Sequence, residues 1–209
     1  MRASWHLEGF RVNNGTPKFD AAYYRRYYVN PRTRVADPEY YNRLAQFIGA
    51  YCRLLELSVR SILDVGCGTG TLQKPLLREF KGARYEGLEF SAYACEQYGW
   101  TQGCASNYEA NGSFDLVLCH DVLQYLDDKT AAAALTNFGR LSGKVLYFSV
   151  LTEEDWQTNV EQALTDDNVY LRNAAWYRRR LKSGFRNLGG GVYLKVGNDA
   201  VVYALEGGF

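Results

Sequence analysis

The chain is short of the residues that build metal centres. It has two histidines and five cysteines in 209 residues. Cys52, Cys67, Cys95, Cys104 and Cys119 form neither a CxxC pair nor a CxxxCxxC run, so the usual zinc and iron–sulfur spacings are missing and no metal is expected. The odd, scattered count also speaks against a disulfide framework and for a reduced, cytoplasmic setting. No apolar run approaches the ~18 residues of a membrane span. The opening MRASWHLEGF has no apolar signal core, and no membrane partner is expected. Neither sign of charge prevails: 24 Lys and Arg stand against 23 Asp and Glu. Local excesses occur, with ten basic and five acidic side chains in residues 1–60 and six against none from Arg172 to Arg186. Both read first as solvated faces.

What is present is an ordinary share of apolar residues, 47%, enough for a full core. From Arg60 onward strand and helix signals alternate. SILDV (61–65), RYEGLEF (84–90), TQGCA (101–105), FDLVLCH (114–120) and GKVLYFSV (143–150) are short apolar runs of the kind that make buried strands. Between them lie helical stretches: Thr71–Phe80, then Ser91 to Gly99 with a serine N-cap and a glycine end, then an alanine-rich helix capped by Thr130 and running to Leu141. Thr152 and Asp155 form a capping box, and Asn168–Lys182 reads as one more helix. VYLKV and AVVYALE alternate around Gly197-Asn198-Asp199 and predict a closing hairpin. Strands separated by helices predict an α/β, doubly wound, mostly parallel seven-stranded sheet with a C-terminal antiparallel hairpin strand. Residues 1–57 stand apart as a helical extension over the sheet's working edge, and residues 58–209 form the sheet domain.

The first strand stops at an acid and a glycine run, DVGCGTG (64–70). In an open parallel sheet, ligands bind beyond the carboxyl ends of the strands, and glycines there let a ligand approach the main chain. A dinucleotide loop would read GxGxxG; this one reads GxGxG, with Thr71 where the third glycine would stand. Asp64 would repel a pyrophosphate and suits a ligand carrying an amine or sulfonium. Glu89 ends the second strand and is placed to accept hydrogen bonds from ribose hydroxyls.

LDVGCGTG, then GLEFS, then FDLVLCHDVLQYL, resembles the class I S-adenosylmethionine-dependent methyltransferases, over roughly Arg60–Leu205. The resemblance implies S-adenosylmethionine as cofactor and S-adenosylhomocysteine as its product. It implies that Asp64, Gly66, Gly68 and Gly70, with Cys67 among them, surround the methionine and ribose parts, that Glu89 holds the ribose, and that Phe90 packs on the adenine. Cys104-Ala105 stands where the family often has Asp-Ala. A thiol is a weak acceptor, so Ser106, Asn107 or backbone N–H groups are the other candidates for the adenine edge. Leu141-Ser142-Gly143-Lys144 replaces the Pro-Gly-Gly turn of many relatives.

Absent motifs narrow the acceptor. Enzymes that methylate exocyclic amino groups of bases carry Asp/Asn-Pro-Pro-Tyr after the fourth strand, where this chain has Cys119-His120-Asp121-Val122. Cytosine-C5 enzymes use Pro-Cys, and no proline here precedes a cysteine. A small-molecule acceptor is therefore expected and a nucleic acid is not. The alternatives are a protein or RNA substrate docked on Arg178-Arg179-Arg180, and a cofactor-binding protein without catalysis. FDAAYYRRYY puts Phe19, Tyr23 and Tyr27 on one helical row with Tyr24 and Tyr28 beside it, either a packing helix or a lid. Arg34 is a candidate partner for the cofactor's carboxylate, with Tyr28 nearby. Tyr23, Tyr27, Tyr125, Trp156 and Arg172 are candidates for the acceptor. His120, at the end of the fourth strand, is the candidate general base; Asp121 beside it is expected to point to the other face. The oligomeric state has no signal.

Overall fold

The computed structural model describes residues 19–204. Seven strands form one sheet in the order β3-β2-β1-β4-β5-β7-β6: β1 (Ser61–Val65), β2 (Arg84–Glu89), β3 (Thr101–Gln102), β4 (Phe114–His120), β5 (Ser142–Ser149), β6 (Phe185–Asn187) and β7 (Val192–Lys195). The first five run parallel, and β7 is antiparallel to both β5 and β6. The helices are α1 (Ala21–Tyr24), continued by a π-helical turn over Arg25–Val29, α2 (Pro38–Leu54), α3 (Gln73–Glu79), α4 (Ala92–Tyr98), α5 (Asp128–Leu141), α6 (Glu153–Thr158) and α7 (Ala174–Leu181). No described helix is long and apolar enough to cross a membrane.

The parallel strands β1 and β4 are apolar along their length because both faces are covered. On one face Leu63, Val117, Leu146 and Phe138 share a cluster; on the other Ile62, Leu116 and Leu118 meet Ile48 and Leu76. Each such side chain, withdrawn fully from water, contributes about 1.5–3 kcal/mol. The second cluster includes Tyr41, Leu44, Ala45, Ile48 and Cys52 of α2, residues spaced to lie on one helical face. That helix starts cleanly because Asp37 accepts from the Tyr40 N–H and Pro38 occupies the first turn. So α2, though N-terminal to the first strand, is part of the core.

Local signals mostly match the ends of the elements. Ser91 caps α4, Gly99 ends it at φ 76°, and the Thr152–Asp155 capping box opens α6. Three boundaries differ. The cap of α5 is Asp127, whose carboxylate accepts from the Thr130 N–H. The last helix begins at Ala174, with Asn173 as cap, instead of at Asn168. The hairpin pairs Phe185–Asn187 with Val192–Lys195 through Gly189, Gly190 and Gly191, all at positive φ. Residues 201–203 form no strand, and the last two of AVVYALE lie outside the described residues. The triple glycine turns the chain more readily than Gly-Asn-Asp, because three consecutive positions take φ > 0 without a Cβ clash.

Candidate active site

The loop after β1 is pinned to the end of β2: Gly66 N and Cys67 N both donate to Leu88 O, at 2.7 and 3.3 Å. Gly66, Gly68 and Gly70 have φ of 70°, 55° and 73°, where an L side chain is strained. Side chains press on two of them. A Cβ at Gly66 would lie 2.4 Å from Val122 Cγ2, and one at Gly70 would lie 2.5 Å from Trp100 Cζ2. Trp100 also donates its indole N–H to Gly68 O at 2.9 Å. Of the three, only Gly68 has room for a Cβ, which would rest in ordinary contact with Tyr24 and Tyr28 at 3.6 and 3.8 Å.

Glu89 is buried at the head of β2. One carboxylate oxygen accepts from Gly68 N at 2.8 Å, the other from Phe90 N and Ser91 N at 2.8 and 2.9 Å. The Tyr24 phenol is near enough to favour its charged form as well. Burial pushes its pKa up, and these donors pull against that.

A cavity opens between this carboxylate and the glycine loop. Its wall is Gly66, Gly68, Glu89 and Phe90 on one side, Cys104, Ala105 and Leu126 on another, and Phe19, Tyr23, Tyr24 and Tyr28 as a cover. Two carboxylates, Glu89 and Asp121, line it, and no Lys or Arg among the described residues does. That pair of acceptors suits a cationic nucleoside and is wrong for a pyrophosphate. The tyrosines leave about 50 Å³ beneath them, below the ~300 Å³ of an ordinary ligand pocket.

A second cavity, of about 470 Å³, adjoins the first and shares Tyr23, Tyr28, Asp121 and Tyr125 with it. Tyr23 and Tyr125 hydroxyls meet at 3.0 Å across the boundary. Burial pushes the phenols of Tyr23, Tyr28 and Tyr125 well above their ordinary range, so they remain neutral. His120 lines the second cavity. Its Nε2 is 3.0 Å from the Tyr40 hydroxyl, its Nδ1 is 3.4 Å from Asp121 Oδ2, and Tyr147 stacks on its ring.

The expected geometry of Asp121 needs correction. Its φ is +55°, so the alternation of an extended strand breaks at that residue. The carboxylate turns to the side of His120 instead of the opposite face. Aspartate tolerates this left-handed conformation better than most residues.

Other candidates lie elsewhere. Asp64 lines neither cavity; it is buried and accepts from the Tyr85 hydroxyl at 2.5 Å, and burial pushes its pKa to about 6. Cys67 and Gly70 are packing positions behind the loop. Ser106 lines neither cavity and sits 3.2 Å from the Cys104 thiol. The side chains of Arg34 and Trp156 line neither cavity. Arg172 is spent on the fold: its guanidinium donates to Asp128, to the Leu123, Leu126 and Tyr170 carbonyls and to the Tyr177 hydroxyl. Conversely, the sequence pattern did not single out Tyr40, Tyr41, Gln124 or Asp166, all of which line the second cavity. The only available signal for Tyr40 was its place in the first turn of an amphipathic helix.

Residues 63–142 match the family described as "Methyltransferase domain". That stretch runs from β1 to the start of β5, and the sheet has the class I methyltransferase fold. Over 90 residues it is 33% identical to a ubiquinone biosynthesis O-methyltransferase of Xanthomonas oryzae pv. oryzae (strain PXO99A), a match covering 37% of each chain. The alignment thus spans little more than a third of that relative's length. Among solved structures, an S-adenosylmethionine-dependent methyltransferase from Clostridium acetobutylicum aligns at a TM-score of 0.61 and 17% identity, over 85% of this chain and 98% of its own. Magnesium protoporphyrin IX methyltransferase from Synechocystis, with bound S-adenosylhomocysteine, aligns at 0.56 and 20%, over 80% and 86%. At these identities the two structures speak for the shared fold.

Proposed function

We propose that the protein transfers a methyl group from S-adenosylmethionine to a small-molecule acceptor. The observation that carries this is the pair of adjoining cavities: one bounded by the glycine loop and Glu89, the other by His120, with Tyr23, Tyr28, Asp121 and Tyr125 in both. The cofactor supplies a methyl carbon made electrophilic by a sulfonium.

Glu89 would hold the ribose, its carboxylate sharing or exchanging the Tyr24 hydroxyl for the sugar's. Phe90, Ala105 and Leu126 would bracket the base, with Cys104 at its edge. The main chain at Gly66 and Gly68 would take the ribose and methionine parts. Tyr23, Tyr28 and Tyr125 would exclude water from the boundary, where displacement needs the two partners in line. His120 would take the acceptor's proton, since an imidazole is the side chain that ordinarily exchanges a proton near neutral pH. Asp121, at Nδ1, favours the tautomer whose Nε2 lone pair faces Tyr40. Tyr27 and Tyr40 would contact the acceptor.

Within residues 1–57, the segment ahead of α2 would act as a lid. The five described cysteines are all free, which supports a reducing, cytoplasmic setting. None of Arg178, Arg179 and Arg180 lines either cavity, so a macromolecule docked on α7 has no support from the site. Calorimetry tests the reading. S-adenosylmethionine and S-adenosylhomocysteine should bind at micromolar levels, about −8 kcal/mol, and NAD should not. Tighter binding of NAD would overturn it, as would failure of cell extract plus labelled cofactor to yield any methylated small molecule.

A further inference from the structure

Both ring nitrogens of His120 are engaged. Nε2 is 3.0 Å from the Tyr40 hydroxyl, and Nδ1 is 3.4 Å from Asp121 Oδ2. Asp121 is itself fixed: its N–H donates to Ser149 O at 3.0 Å, and its other carboxylate oxygen accepts from the Ser149 hydroxyl at 3.4 Å. A carboxylate attracts an N–H and repels a nitrogen lone pair, so the proton of the neutral ring sits on Nδ1. A neutral imidazole has one donor nitrogen and one acceptor nitrogen. Nε2 is then the acceptor and the Tyr40 hydroxyl is its donor. An imidazole nitrogen offers one lone pair, in the plane of the ring, and Tyr40 takes it. No hydroxyl or amine of a second molecule can bond Nε2 at the same time.

The surroundings of the ring point the same way. The His120 side chain is 14% exposed and Tyr40 is 37% exposed. Tyr41 and Tyr147 flank the imidazole, each with its centroid 6.2 Å away. Tyr40 and His120 both line the second cavity, and Tyr40 is the more open of the two. A phenol oxygen that donates its proton still accepts through its lone pairs. Burial and the charge of Asp121 raise the Tyr40 phenol above its ordinary range, so it keeps its proton near neutral pH. The titratable groups that face the ring are Asp64 on β1, Asp121, Tyr40 and Tyr41 on α2, and Tyr147 on β5. The two acids among them favour a positive imidazole.

We propose that Tyr40 is a catalytic residue, which takes the proton of the methyl acceptor and passes its own to His120. The inference rests on the methyltransferase reading above, with His120 as the base. The bonds balance as follows. The O–H or N–H bond of the acceptor breaks and its proton joins the Tyr40 oxygen. The Tyr40 O–H bond breaks in the same event and that proton joins Nε2, so the phenol ends neutral. The electron pair left on the acceptor forms the bond to the methyl carbon, and the S–C bond breaks with its electrons kept by sulfur. The imidazolium, beside Asp121, then returns its proton to solvent.

The test has one arm without turnover and one with it. The full chain, carrying ¹⁵N-histidine and saturated with S-adenosylhomocysteine, is examined by long-range proton–nitrogen correlation at about pH 8, above the ordinary imidazole pKa. His120→Asn assigns the signal. His120 should carry its proton on Nδ1. A proton on Nε2 would overturn the relay, because Tyr40 would then accept from the ring instead of donating to it. The second arm follows single-turnover methyl transfer from labelled S-adenosylmethionine to the small-molecule fraction of cell extract, in mixtures of H₂O and D₂O. Two protons moving together make the rate fall along a bowed curve as the deuterium fraction rises. Tyr40→Phe should lower the rate about tenfold, keep S-adenosylhomocysteine affinity and make the dependence linear. A residue that only holds the ring in place would slow the Tyr40→Phe protein too, but the wild-type dependence would already be linear. A linear or flat wild-type dependence, or a Tyr40→Phe protein as fast as wild type, therefore overturns the proposal. Neither the tautomer nor the wild-type curve requires a variant to fold. Failure of S-adenosylhomocysteine to bind would overturn the parent reading instead.

Discussion

The hydroxyl of Tyr40, in the first turn of α2, lies 3.0 Å from Nε2 of His120, at the end of β4 and 80 positions away. Asp121 stands 3.4 Å from the other ring nitrogen. The imidazole is thus oriented from both sides on the wall of the second cavity. If it moves a proton, His120→Asn should lower turnover by about 10²-fold while S-adenosylmethionine affinity stays the same. Tyr40→Phe should cost less and shift the pH profile of turnover. An unchanged rate and profile in His120→Asn would remove the base.

Glu89→Gln should weaken S-adenosylmethionine binding by about 1.5–3 kcal/mol, the worth of hydrogen bonds to a charged group. The carboxylate accepts three backbone N–H groups of its own chain, so Glu89→Ala should also lower stability by about 1–3 kcal/mol through unpaired donors. Titration calorimetry beside urea unfolding separates the two effects.

Asp64 makes stability depend on pH. Its folded pKa is raised from 3.8 to about 6 by burial, so the folded state holds the proton more tightly than the unfolded chain. The resulting stabilisation is complete below the unfolded value and is lost as pH rises through about 6, a change of about 3 kcal/mol between roughly pH 4 and 7. In Asp64→Asn the urea midpoint should vary less with pH over that window. An identical slope in the two proteins would show that Asp64 is ionised throughout.

Gly70→Ala should be more disruptive than Gly82→Ala. Both positions have positive φ, 73° and 79°, so both substitutions carry a backbone cost of about 1–2 kcal/mol. At Gly82 the new Cβ meets nothing within 4 Å, whereas at Gly70 it falls 2.5 Å from Trp100. The difference in unfolding free energy reports the Trp100 contact alone, and equal effects would mean that the indole yields freely.

Removal of residues 1–35 should leave α2 and the sheet folded, because the α2 face from Tyr41 to Cys52 packs in the core and none of the described residues 19–35 belongs to either core cluster. Cofactor should then associate faster, since Tyr24 and Tyr28 no longer cover Gly68, but turnover should vanish. Full activity would end the lid reading. An insoluble product would make the segment part of the core.

The signals that were legible in the sequence are local ones. A helix cap, a capping box, an apolar strand and a glycine run each act within a few residues, so both ends of α4, the start of α6, the strands β1, β2, β4 and β5, and the loop from Asp64 to Gly70 could be read directly. The C-terminal hairpin was misread because two glycine-containing turns competed. The choice between them depends on which strand docks against β5, and Val192–Lys195 does so with Phe185–Asn187 beyond it. Arg172 and Trp156 looked like site residues on type and position alone; the structure turns the first into a buried tie between loops and leaves the second outside both cavities.

The sequence by itself determined that strands and helices alternate, that the first strand ends in a glycine loop, and that an acid follows at the end of the second, because strand period, caps and glycine φ preferences are short-range physics. Only the tertiary structure decided what fills the space around that loop. Val122 abuts Gly66, Trp100 abuts Gly70, the α1 tyrosines lie on Gly68, and one positive φ brings Asp121 to His120. The first three of those contacts join segments far apart in the chain, and their partners are chosen by packing, which has no period that a sequence can display.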